Sequence, residues 1–551
     1  MKFKLRYLYL FMFVMVIGVT NAQNKEVKNV ILMIPDGTST GVLSISRWYQ
    51  QANLLAVDPY ICGLVKTHSS DAPIGDSAPT GSTYATGHLS KTQFIATYPD
   101  YSVHNLEPMD KFEAFQPLFT ILEASKLQKK ATGLVATSYF PHATPAAFAA
   151  HHPSRSEYEI LSKQMVFNNV DVVIAGGSYF LNQRKDKIDL TKVLMANNIS
   201  YTENLNEFRA FKGLKMWALF SEWSMANDID RDVDKEPSLA EMTEKAIEIL
   251  SQNKNGFFLM VEGSKVDWSA HDNDPIGVIT EYLAFDKAVA KAIDFAKKDG
   301  STAVVVLPDH GNGGISLGNS QTNKGYDKKT YSELFDNLRK ATKTAEHFGT
   351  KYKTCPTEEQ IKEYFSENFG INNLIIDEIN SISAFFQYEK LAKKGKNKKN
   401  PTEINKIIAN IINNRNPIGW TTTGHTGEDV FLAIYHPHQY RPTGLVQNTD
   451  INRYMCEIMN TPSLDSLTSL YYAPATKVFE KYIVSIDSSN VYEPFMMIQS
   501  EKAELRIPAN KNEVWFTLKP NKNRQIIPLQ TLVIYNGHDF YIPLYLEELL
   551  R

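Results

Sequence analysis

The chain has 551 residues, of which 43% are hydrophobic and 22% are charged, so it can bury a large core and does not have the composition of a disordered protein. Basic and acidic residues nearly balance, 58 against 61, which excludes the strongly basic composition of proteins that bind nucleic acid through its phosphates. The length allows about two to five ordinary domains or one large α/β domain with insertions. We expect a globular protein with no nucleic-acid-specific binding.

The N-terminal segment has the pattern of a secretory signal peptide. Three cations within the first six residues precede the apolar run Tyr7–Val19, and small residues up to Ala22 precede Gln23. The alternative is a membrane anchor, but the run is shorter than the ~20 residues that a spanning helix needs. We predict that residues 1–22 are removed and that the mature protein is periplasmic or secreted, with no stable membrane anchor.

Six short apolar runs rich in β-branched residues predict buried parallel strands. They are Val30–Ile34, Gly133–Thr137, Val170–Ala175, Phe257–Val261, Ala303–Leu307 and Val430–Tyr435. Helical patterns lie between them, such as one that opens with a capping box at Ser238 and Glu241 and one that ends at Gly300. The alternation predicts an α/β fold with a doubly wound, mainly parallel sheet and helices on both faces.

Two regions depart from this alternation. Polar turns, the basic stretch Lys393–Lys399 and capped helices predict a helical surface insertion at about 313–419. After about Val484, alternating strands predict a small β-rich module, in which Asn536–Gly537 is a type I′ hairpin signal. The predicted organisation is a signal peptide over 1–22, a main domain over 23–483 and a C-terminal module over 484–551.

Polar residues follow four of the predicted strands at their carboxyl ends, where open parallel sheets bind ligands. They are Asp36 after the first strand, His142 and Thr144 after the second, Glu262 after the fourth, and Asp309 with His310 after the fifth. Asp267 and His271 follow at an i, i+4 spacing that places both on one face of a helical turn. Carboxylates and imidazoles without thiolates suit zinc, whereas the oxygen set of Asp36, Thr144 and Glu262 suits magnesium.

One further ligand candidate and one nucleophile candidate complete the pattern. His425 precedes its strand, so strand direction alone does not place it at this edge. Pro79 fits a first helical turn, which puts Ser77 at a helix N-terminus, where amide donors and the dipole attract an anion. A serine reacts at neutral pH only when a base or a metal activates it, and the simpler interpretation of Ser77 is an N-cap.

Together these residues resemble the alkaline phosphatases, a family of metal-dependent phosphomonoesterases, over about 29–144, 262–310 and 425–429. The resemblance implies two zinc ions and one magnesium ion. It assigns the first zinc to Asp267, His271 and His425, the second zinc to Asp36, Asp309 and His310, and the magnesium to Asp36, Thr144 and Glu262. It also implies that Ser77 is the nucleophile and forms a phosphoserine, that Arg155 binds phosphate, and that Asp76 orients Arg155.

Three features differ from other members of that family. His142 and Trp268 stand beside the metal ligands, where some relatives carry an acid and a basic residue, and this pairing resembles that of several other bacterial members. Asn312 takes the place of a histidine or glutamate, and Pro35 and Pro308 each precede a ligand. We expect His142 and Trp268 to affect metal preference and turnover and to leave the type of reaction unchanged, and we expect Asn312 to change the hydrogen bond that supports a zinc ligand.

The resemblance therefore implies a secreted phosphatase that hydrolyses small-molecule phosphate monoesters as a monomer or homodimer. A phosphodiesterase of the same superfamily stays open because motifs do not show pocket size. A sulfatase stays open because Ser77–Gly81 is superficially similar to the sulfatase pattern, although Gly81 replaces its arginine. A secreted, non-catalytic binder of metal or phosphate is the third alternative, but a binder has no need of a nucleophile at a helix start.

Overall fold

The computed structural model describes residues 25–393, 402–519 and 523–551. The predicted signal peptide and all of the basic stretch except Lys393 lie outside the described residues, so both stay predictions. In the part of the chain that is described, no helix combines the length and the apolar character needed to cross a bilayer. Cys62, Cys355 and Cys456 are all free thiols.

The strands, in chain order, are β1 (Asn29–Pro35), β2 (Ile61–Lys66), β3 (Ala131–Tyr139), β4 (Val172–Gly176), β5 (Ser200–Thr202), β6 (Met216–Leu219), β7 (Phe257–Gly263), β8 (Thr302–Val306), β9 (Gly311–Asn312), β10 (Ser316–Leu317), β11 (Ile418–Gly419), β12 (His425–Thr426), β13 (Val430–Tyr435), β14 (Gly444–Gln447), β15 (Ala473–Pro474), β16 (Ile483–Asp487), β17 (Phe495–Gln499), β18 (Ala503–Pro508), β19 (Glu513–Leu518), β20 (Arg524–Pro528), β21 (Ile534–Tyr535) and β22 (Phe540–Ile542).

The helices, in the same order, are α1 (Thr40–Tyr49), α2 (Ser77–Thr86), α3 (Ile121–Leu127), α4 (Ala143–Ala149), α5 (Tyr158–Phe167), α6 (Tyr179–Asn182), α7 (Leu190–Ala196), α8 (Leu205–Ala210), α9 (Leu239–Leu250), α10 (Lys265–His271), α11 (Pro275–Asp299), α12 (Tyr331–Arg339), α13 (Ala345–Lys351), α14 (Glu358–Phe369), α15 (Ile376–Ala392), α16 (Ile404–Asn413), α17 (Asn448–Ile458), α18 (Leu464–Tyr471) and α19 (Ala475–Val478). Short 3₁₀ turns lie at Asp58–Tyr60, Val103–Asn105, Ser320–Thr322, Tyr326–Lys328 and Leu544–Leu550.

The main sheet has ten strands in the order β14-β2-β13-β8-β1-β7-β3-β4-β6-β5. β13 runs antiparallel to its neighbours β2 and β8, whereas the other pairings in this sheet are parallel. This arrangement confirms the predicted α/β fold with a mainly parallel sheet. The reversed direction of β13 also puts its start at the carboxyl edge of the parallel strands, and this is the edge at which His425 enters.

β1 shows why helices cover both faces of this sheet. All seven of its residues are buried, and successive side chains point to opposite faces. Ile31 and Met33 belong to a hydrophobic cluster that includes residues of α9 and α11. Val30 and Leu32 belong to a second cluster, which includes residues of α4 and α17. Because burying one such aliphatic side chain contributes about 1.5–3 kcal/mol, each face needs a covering layer.

The described part of the predicted insertion contains five α-helices, α12–α16, and these helices also contribute to the buried core. Its apolar residues, such as the fully buried Phe348, join the cluster under α9 and α11. It also contacts the turn between α10 and α11, where the Ala345 amide donates to Asp274 at 2.7 Å and Asn405 donates to Asp272 at 3.0 Å. The insertion thus packs directly on the segment that follows His271.

The C-terminal part forms a five-stranded antiparallel sheet, β16–β20, with its own hydrophobic cluster. It packs on α5 through an ion pair between Lys163 and Glu493 at 2.6 Å and a hydrogen bond from Gln164 to Asn510 at 2.9 Å. β16–β20 therefore rest on a helix of the main sheet's covering layer. The proposed boundaries of the domains stay a prediction.

The loop between β21 and β22 has four residues, Asn536 to Asp539, and not the two residues of a type I′ turn. The Asn536 side chain accepts hydrogen bonds from the backbone amides of His538 and Asp539, both at 2.9 Å. Asparagine side chains compete with the backbone for such donors, which explains why Asn536–Gly537 builds a longer turn here.

A histidine at the edge of this fold joins two carboxylates that are distant in sequence. His88 Nδ1 lies 2.6 Å from Glu107 Oε1, and His88 Nε2 lies 2.7 Å from Asp465 Oδ1. Burial alone would lower the pKa of His88, but the hydrogen bonds to Asp465 and Glu107 outweigh burial and raise this pKa. The ring therefore holds its proton more tightly than an ordinary histidine does, and its two nitrogens tie the segment after α2 to α18.

We expect His88→Gln to destabilise the protein in acid more than in alkali. Because folding raises the pKa of His88, its contribution is fully present below the unfolded value of about 6.5 and is lost as pH rises through the folded value. The loss should be about 1–2 kcal/mol at low pH, since charge-assisted hydrogen bonds contribute this much. Solvent weakens the contact with Asp465, because this side chain is 39% exposed and water screens its charge.

Denaturant unfolding at about pH 5.5 and about pH 9, on either side of the ordinary histidine pKa, measures this difference. The matched control is His104→Gln, at an exposed histidine of the same region, which should be neutral at both pH values. An equal loss of stability for His88→Gln at both pH values would show that the ring is not protonated in the folded protein.

Candidate active site

The predicted ligands meet at the carboxyl edge of the main sheet. β8, β1 and β7 are adjacent and parallel, so Asp309, Asp36 and Glu262 leave the sheet side by side. The three carboxylates are completely buried. Because strand direction fixes this meeting point, the sequence alone was enough to place these three residues together.

Asp267, His271 and His425 form the first candidate metal group. Their ligand atoms lie within 4.8 Å of one another, and the Nε2 atoms of the two imidazoles face each other at 3.1 Å. The opposite nitrogens lie close to backbone carbonyls, His271 Nδ1 at 2.8 Å from Thr423 O and His425 Nδ1 at 2.9 Å from Gly75 O. Rings fixed in this way present Nε2 to a shared cation.

Asp36, Asp309 and His310 form the second group, again with ligand atoms within 4.8 Å of one another. The hydroxyl of Ser77 is in the same place, with Oγ 3.3 Å from Asp36 Oδ2 and 3.3 Å from His310 Nε2. Asp309 Oδ2 is buried and has no hydrogen-bond partner among the described residues. The candidate nucleophile and the second group therefore share one site.

The third group contains Asp36 and Glu262, and the structure adds His142 to it within the same 4.8 Å limit. Both carboxylate oxygens of Glu262 and the hydroxyl of Thr144 are buried without a hydrogen-bond partner in the described part of the chain. Such atoms are costly to bury unpaired, and a cation would satisfy them. The sequence analysis placed His142 beside this group, but it did not predict that the ring lies as close to Asp36 and Glu262 as a further metal ligand would.

The electrostatics of the site call for positive charge. Burial, and next the repulsion from Asp309, raise the pKa of Asp36 well above its ordinary value. Burial also raises the pKa of Glu262 to about 8. Against the effect of burial, the hydrogen bond between Asp267 and His271 lowers the pKa of Asp267 and raises the pKa of His271 to about 9. Crowded carboxylates that resist ionisation on their own are suited to bind cations.

Ser77 is the first residue of α2, and Asp76, not Ser77, is the N-cap residue. The Asp76 side chain makes no capping hydrogen bond and instead accepts one from Arg155 Nη1 at 2.5 Å. Burial would raise the pKa of Asp76, but the guanidinium of Arg155 outweighs burial and lowers it. The amides at the start of α2 are therefore left free of this carboxylate, beside a serine that is only 2% exposed.

Arg155 lies between Asp76 and His142. Its Nη2 is 3.2 Å from His142 Nε2. Burial, and next the positive charge of Arg155, lower the pKa of His142 to about 3, so its ring is neutral and Nε2 can accept from Arg155. These two contacts fix the guanidinium next to Asp76, the residue that precedes Ser77, where its planar fork could bind two oxygens of an anion.

Two positions that differ from the family pattern have definite contacts. Asn312 Nδ2 donates to Asp267 Oδ1 at 2.7 Å and to the Asp267 carbonyl at 3.1 Å, so this amide orients a ligand of the first group. The ring of Trp268 packs 5.7 Å from that of His142, and Lys265 Nζ lies 5.3 Å from the Trp268 ring. Sequence reasoning missed Lys265, whose position at the start of α10 was the available signal.

Two glycines permit close approach of backbone segments at the site. Gly37 has φ +61°, and a Cβ atom there would lie 2.3 Å from Asp267 Oδ1. Gly81 is buried against α4, where a Cβ atom would lie 3.4 Å from Ala147 Cβ. Position 81 is therefore a buried glycine packed on α4, and the arginine of the sulfatase pattern is absent here.

Comparisons with known proteins agree with this geometry. A family model of alkaline phosphatases matches residues 27–461, a range that includes every predicted ligand. Alkaline phosphatase 4 of Bacillus subtilis (strain 168) is 35% identical over 452 residues, which cover 79% of this chain and 89% of the relative. Alkaline phosphatase 3 of the same strain is 34% identical over 441 residues, with 77% and 87% coverage.

Solved structures show the same fold. The alkaline phosphatase of Thermus thermophilus matches with a TM-score of 0.68 at 25% identity, over 80% of this chain and 94% of that one. A cold-active alkaline phosphatase from Shewanella sp. matches with a TM-score of 0.64 at 25% identity, over 78% and 99%. The family is metal-dependent and acts on phosphate monoesters. By sequence and by fold, this chain belongs to the alkaline phosphatase family and is a phosphatase.

Proposed function

We propose that this protein is a secreted alkaline phosphatase that hydrolyses small-molecule phosphate monoesters through a phosphoserine on Ser77, at a site for two zinc ions and one magnesium ion. The observation that carries the proposal is the position of Ser77 Oγ, 3.3 Å from both Asp36 and His310 at the start of α2. A helix N-terminus beside a cation cluster is suited to bind a phosphate group. A monomeric or homodimeric state is part of the same proposal.

The candidate groups supply donor sets that suit these ions. Asp267, His271 and His425 would hold one zinc, Asp36, Asp309 and His310 the other zinc, and Asp36, Thr144 and Glu262 the magnesium. The unpartnered oxygens of Glu262, Thr144 and Asp309 fit these assignments. When bound, the cations supply Lewis-acid stabilisation of the negative charge on the phosphoryl, attacking and leaving oxygens.

The chain's own residues then have separate tasks. Arg155, held by Asp76, grips two phosphoryl oxygens and places phosphorus in front of Ser77. The Ser77 hydroxyl donates to Asp36 Oδ2, which leaves a lone pair on Oγ for attack. A new Oγ–phosphorus bond forms as the ester bond breaks, and the proton that Ser77 loses is balanced by the proton that the departing alkoxide takes up, so that an alcohol leaves. Water then breaks the Oγ–phosphorus bond, which releases phosphate and restores the serine.

We expect Ser77→Ala to lower the rate of monoester hydrolysis by at least about a thousandfold, because the only proposed nucleophile is lost. Zinc and magnesium contents should stay those of the wild type, since alanine removes no assigned ligand. Hydrolysis of one chromogenic alcohol as its monoester, diester and sulfate ester, with elemental analysis of each preparation, measures both effects.

The matched control for Ser77→Ala is Ser125→Ala, at another buried helical serine, whose hydroxyl donates only to the carbonyl of Ile121. Ser125→Ala should retain full activity. If Ser77→Ala kept wild-type activity, the phosphoserine mechanism would be wrong. If the wild type cleaved the diester faster than the monoester, the phosphodiesterase alternative would replace the proposal.

We expect Arg155→Lys to lower kcat/KM by about ten- to a hundredfold and to weaken inhibition by inorganic phosphate. Lysine keeps the charge and loses the planar fork that binds two oxygens, a difference of about 1–3 kcal/mol. Steady-state kinetics and phosphate inhibition constants provide the measurement. Arg209→Lys, at an exposed arginine paired with Glu241, is the control, and equal kinetics for both variants would exclude a phosphate-binding role for Arg155.

We expect a chelator to abolish activity and to lower the apparent melting temperature by more than about 5 °C, since the cations stabilise the folded state. The difference should grow as pH rises. Burial raises the pKa of Asp36 and of Glu262, the latter to about 8, so the cation-free protein loses stability as pH rises from the unfolded values towards the folded ones.

Thermal unfolding with and without chelator at several pH values, followed by reconstitution with zinc and magnesium, measures this dependence. Elemental analysis of the reconstituted protein should give two zinc ions and one magnesium ion per chain. Full activity in a preparation shown to be metal-free would refute the metal assignment.

A further inference from the structure

Arg155 lies in a loop whose backbone is fixed by contacts with other segments. The loop covers residues 150–157, between α4 and α5, and we call it the arginine loop. In its middle, the amide and carbonyl of His152 pair with the carbonyl and amide of Ile95 at 3.0 and 2.8 Å, and the Arg155 amide donates to the Gln93 carbonyl at 2.8 Å. The position of the guanidinium therefore depends on how firmly this backbone is held.

His151, at the start of the arginine loop, is completely buried in a polar network. Its Nδ1 lies 3.1 Å from the Ala96 carbonyl, and its Nε2 lies 3.1 Å from both Glu123 Oε1 and the Tyr472 hydroxyl. The Tyr472 hydroxyl donates to the same Glu123 oxygen at 2.6 Å. Burial would raise the pKa of Glu123, but its interactions with His151 and Tyr472 outweigh burial and lower this pKa. The ionised carboxylate thus holds the ring and the hydroxyl together.

Gln164, in the helix α5 that follows the arginine loop, makes a second connection to the same histidine. Its side-chain oxygen accepts from the His151 amide at 2.6 Å, and its side-chain nitrogen donates to the His151 carbonyl at 3.0 Å. The same nitrogen donates to Asn510 Oδ1 at 2.9 Å. Gln164 and Asn510 are both buried. The Gln164 amide therefore fixes the backbone of His151, and Asn510 fixes the orientation of that amide.

Tyr472 and Asn510 both come from the C-terminal part of the chain. Tyr472 directly follows α18, and Asn510 lies between β18 and β19, so both are beyond residue 461, where the match with the family model ends. The Tyr472 ring packs 4.9 Å from that of His151, and the Asn510 amide donates to the Val533 carbonyl at 2.8 Å. The C-terminal part thus reaches the arginine loop with two buried polar side chains.

The polar character of this connection separates it from ordinary packing. Hydrogen bonds weaken steeply when their angles change, and a buried network that is only partly satisfied is costly. The network therefore permits fewer arrangements of the arginine loop than an apolar contact would. Precision is needed here, since a shift of about 1 Å at a group that positions a substrate can lower a rate about a hundredfold.

We propose that Tyr472 and Asn510 are positioning residues for the binding of phosphate by Arg155. Tyr472 acts through His151, and Asn510 acts through Gln164. This inference rests on the proposed function, in which Arg155 binds the phosphoryl group, and it gives the C-terminal part of the chain a task in that reaction.

The test uses the full-length, metal-loaded enzyme with Tyr472→Phe or Asn510→Gly. Phenylalanine removes only the hydroxyl, and glycine suits the φ of +60° at position 510. Each change should weaken inhibition by inorganic phosphate and lower kcat/KM for a small monoester by about three- to tenfold, the effect of one lost hydrogen bond. The control is Tyr454→Phe, at a buried tyrosine of α17 whose hydroxyl donates to the Tyr440 carbonyl at 2.8 Å, and it should change neither value.

A second set of variants distinguishes positioning from a loss of stability. In Arg155→Ala, adding Tyr472→Phe or Asn510→Gly should cause no further loss, because both residues act through the guanidinium that is already absent. All assays are made well below the melting temperature of each variant, and if one of the two changes prevents folding, the other one carries the test.

The outcomes separate this inference from the proposed function. Losses as large in Arg155→Ala as in the wild-type background, or unchanged phosphate inhibition in both single variants, would overturn the positioning role and leave the phosphatase proposal intact. If Arg155→Ala itself left phosphate inhibition unchanged, the proposed role of Arg155 would be wrong, and the positioning role would fall with it.

Discussion

Repulsion among buried carboxylates is the constraint on which the rest of this structure depends. Asp36, Glu262, Asp267 and Asp309 lie in one buried cluster, and burial and neighbouring carboxylates raise the pKa values of Asp36 and Glu262. Removing one partner from such a group or leaving its charge uncompensated costs several kcal/mol. Ionising all four carboxylates needs compensating positive charge, which the cations proposed for this site would supply, so the surrounding fold has to hold the carboxylates in place against their repulsion.

Two features of the fold meet this requirement. Adjacent parallel strands fix three of the carboxylates, and the antiparallel β13 brings His425 to the same edge from the opposite direction. The helix α10, which carries Asp267 and His271, is short and is held from outside by the insertion. Lys265 at its start pairs with Glu346 of α13 at 3.0 Å, and the turn after it contacts Ala345 and Asn405. The insertion therefore supports the first candidate metal group, although none of its described residues belongs to that group.

The sequence predicted the parts of the fold that have a strong local pattern. β1, β3, β7, β8 and β13 are fully or almost fully buried apolar runs, which any buried parallel strand requires. β2 has a single buried residue and β5 has three residues in all, so neither shows a periodic pattern. The sequence could not predict that His142 lies close to Asp36 and Glu262, or that the insertion supports α10. Both features depend on contacts between segments that are distant in the chain.

The neutral state of His142 decides how Arg155 is held in the site. Burial and the charge of Arg155 keep its ring unprotonated, so it accepts a hydrogen bond from the guanidinium and packs its edge against Tyr139. A charged acid at this position would form a second ion pair with Arg155, whereas a neutral ring leaves that half of the guanidinium to the phosphate that we propose binds there. One neutral ring thus satisfies part of a buried guanidinium without adding a charge that would compete with an anion for it.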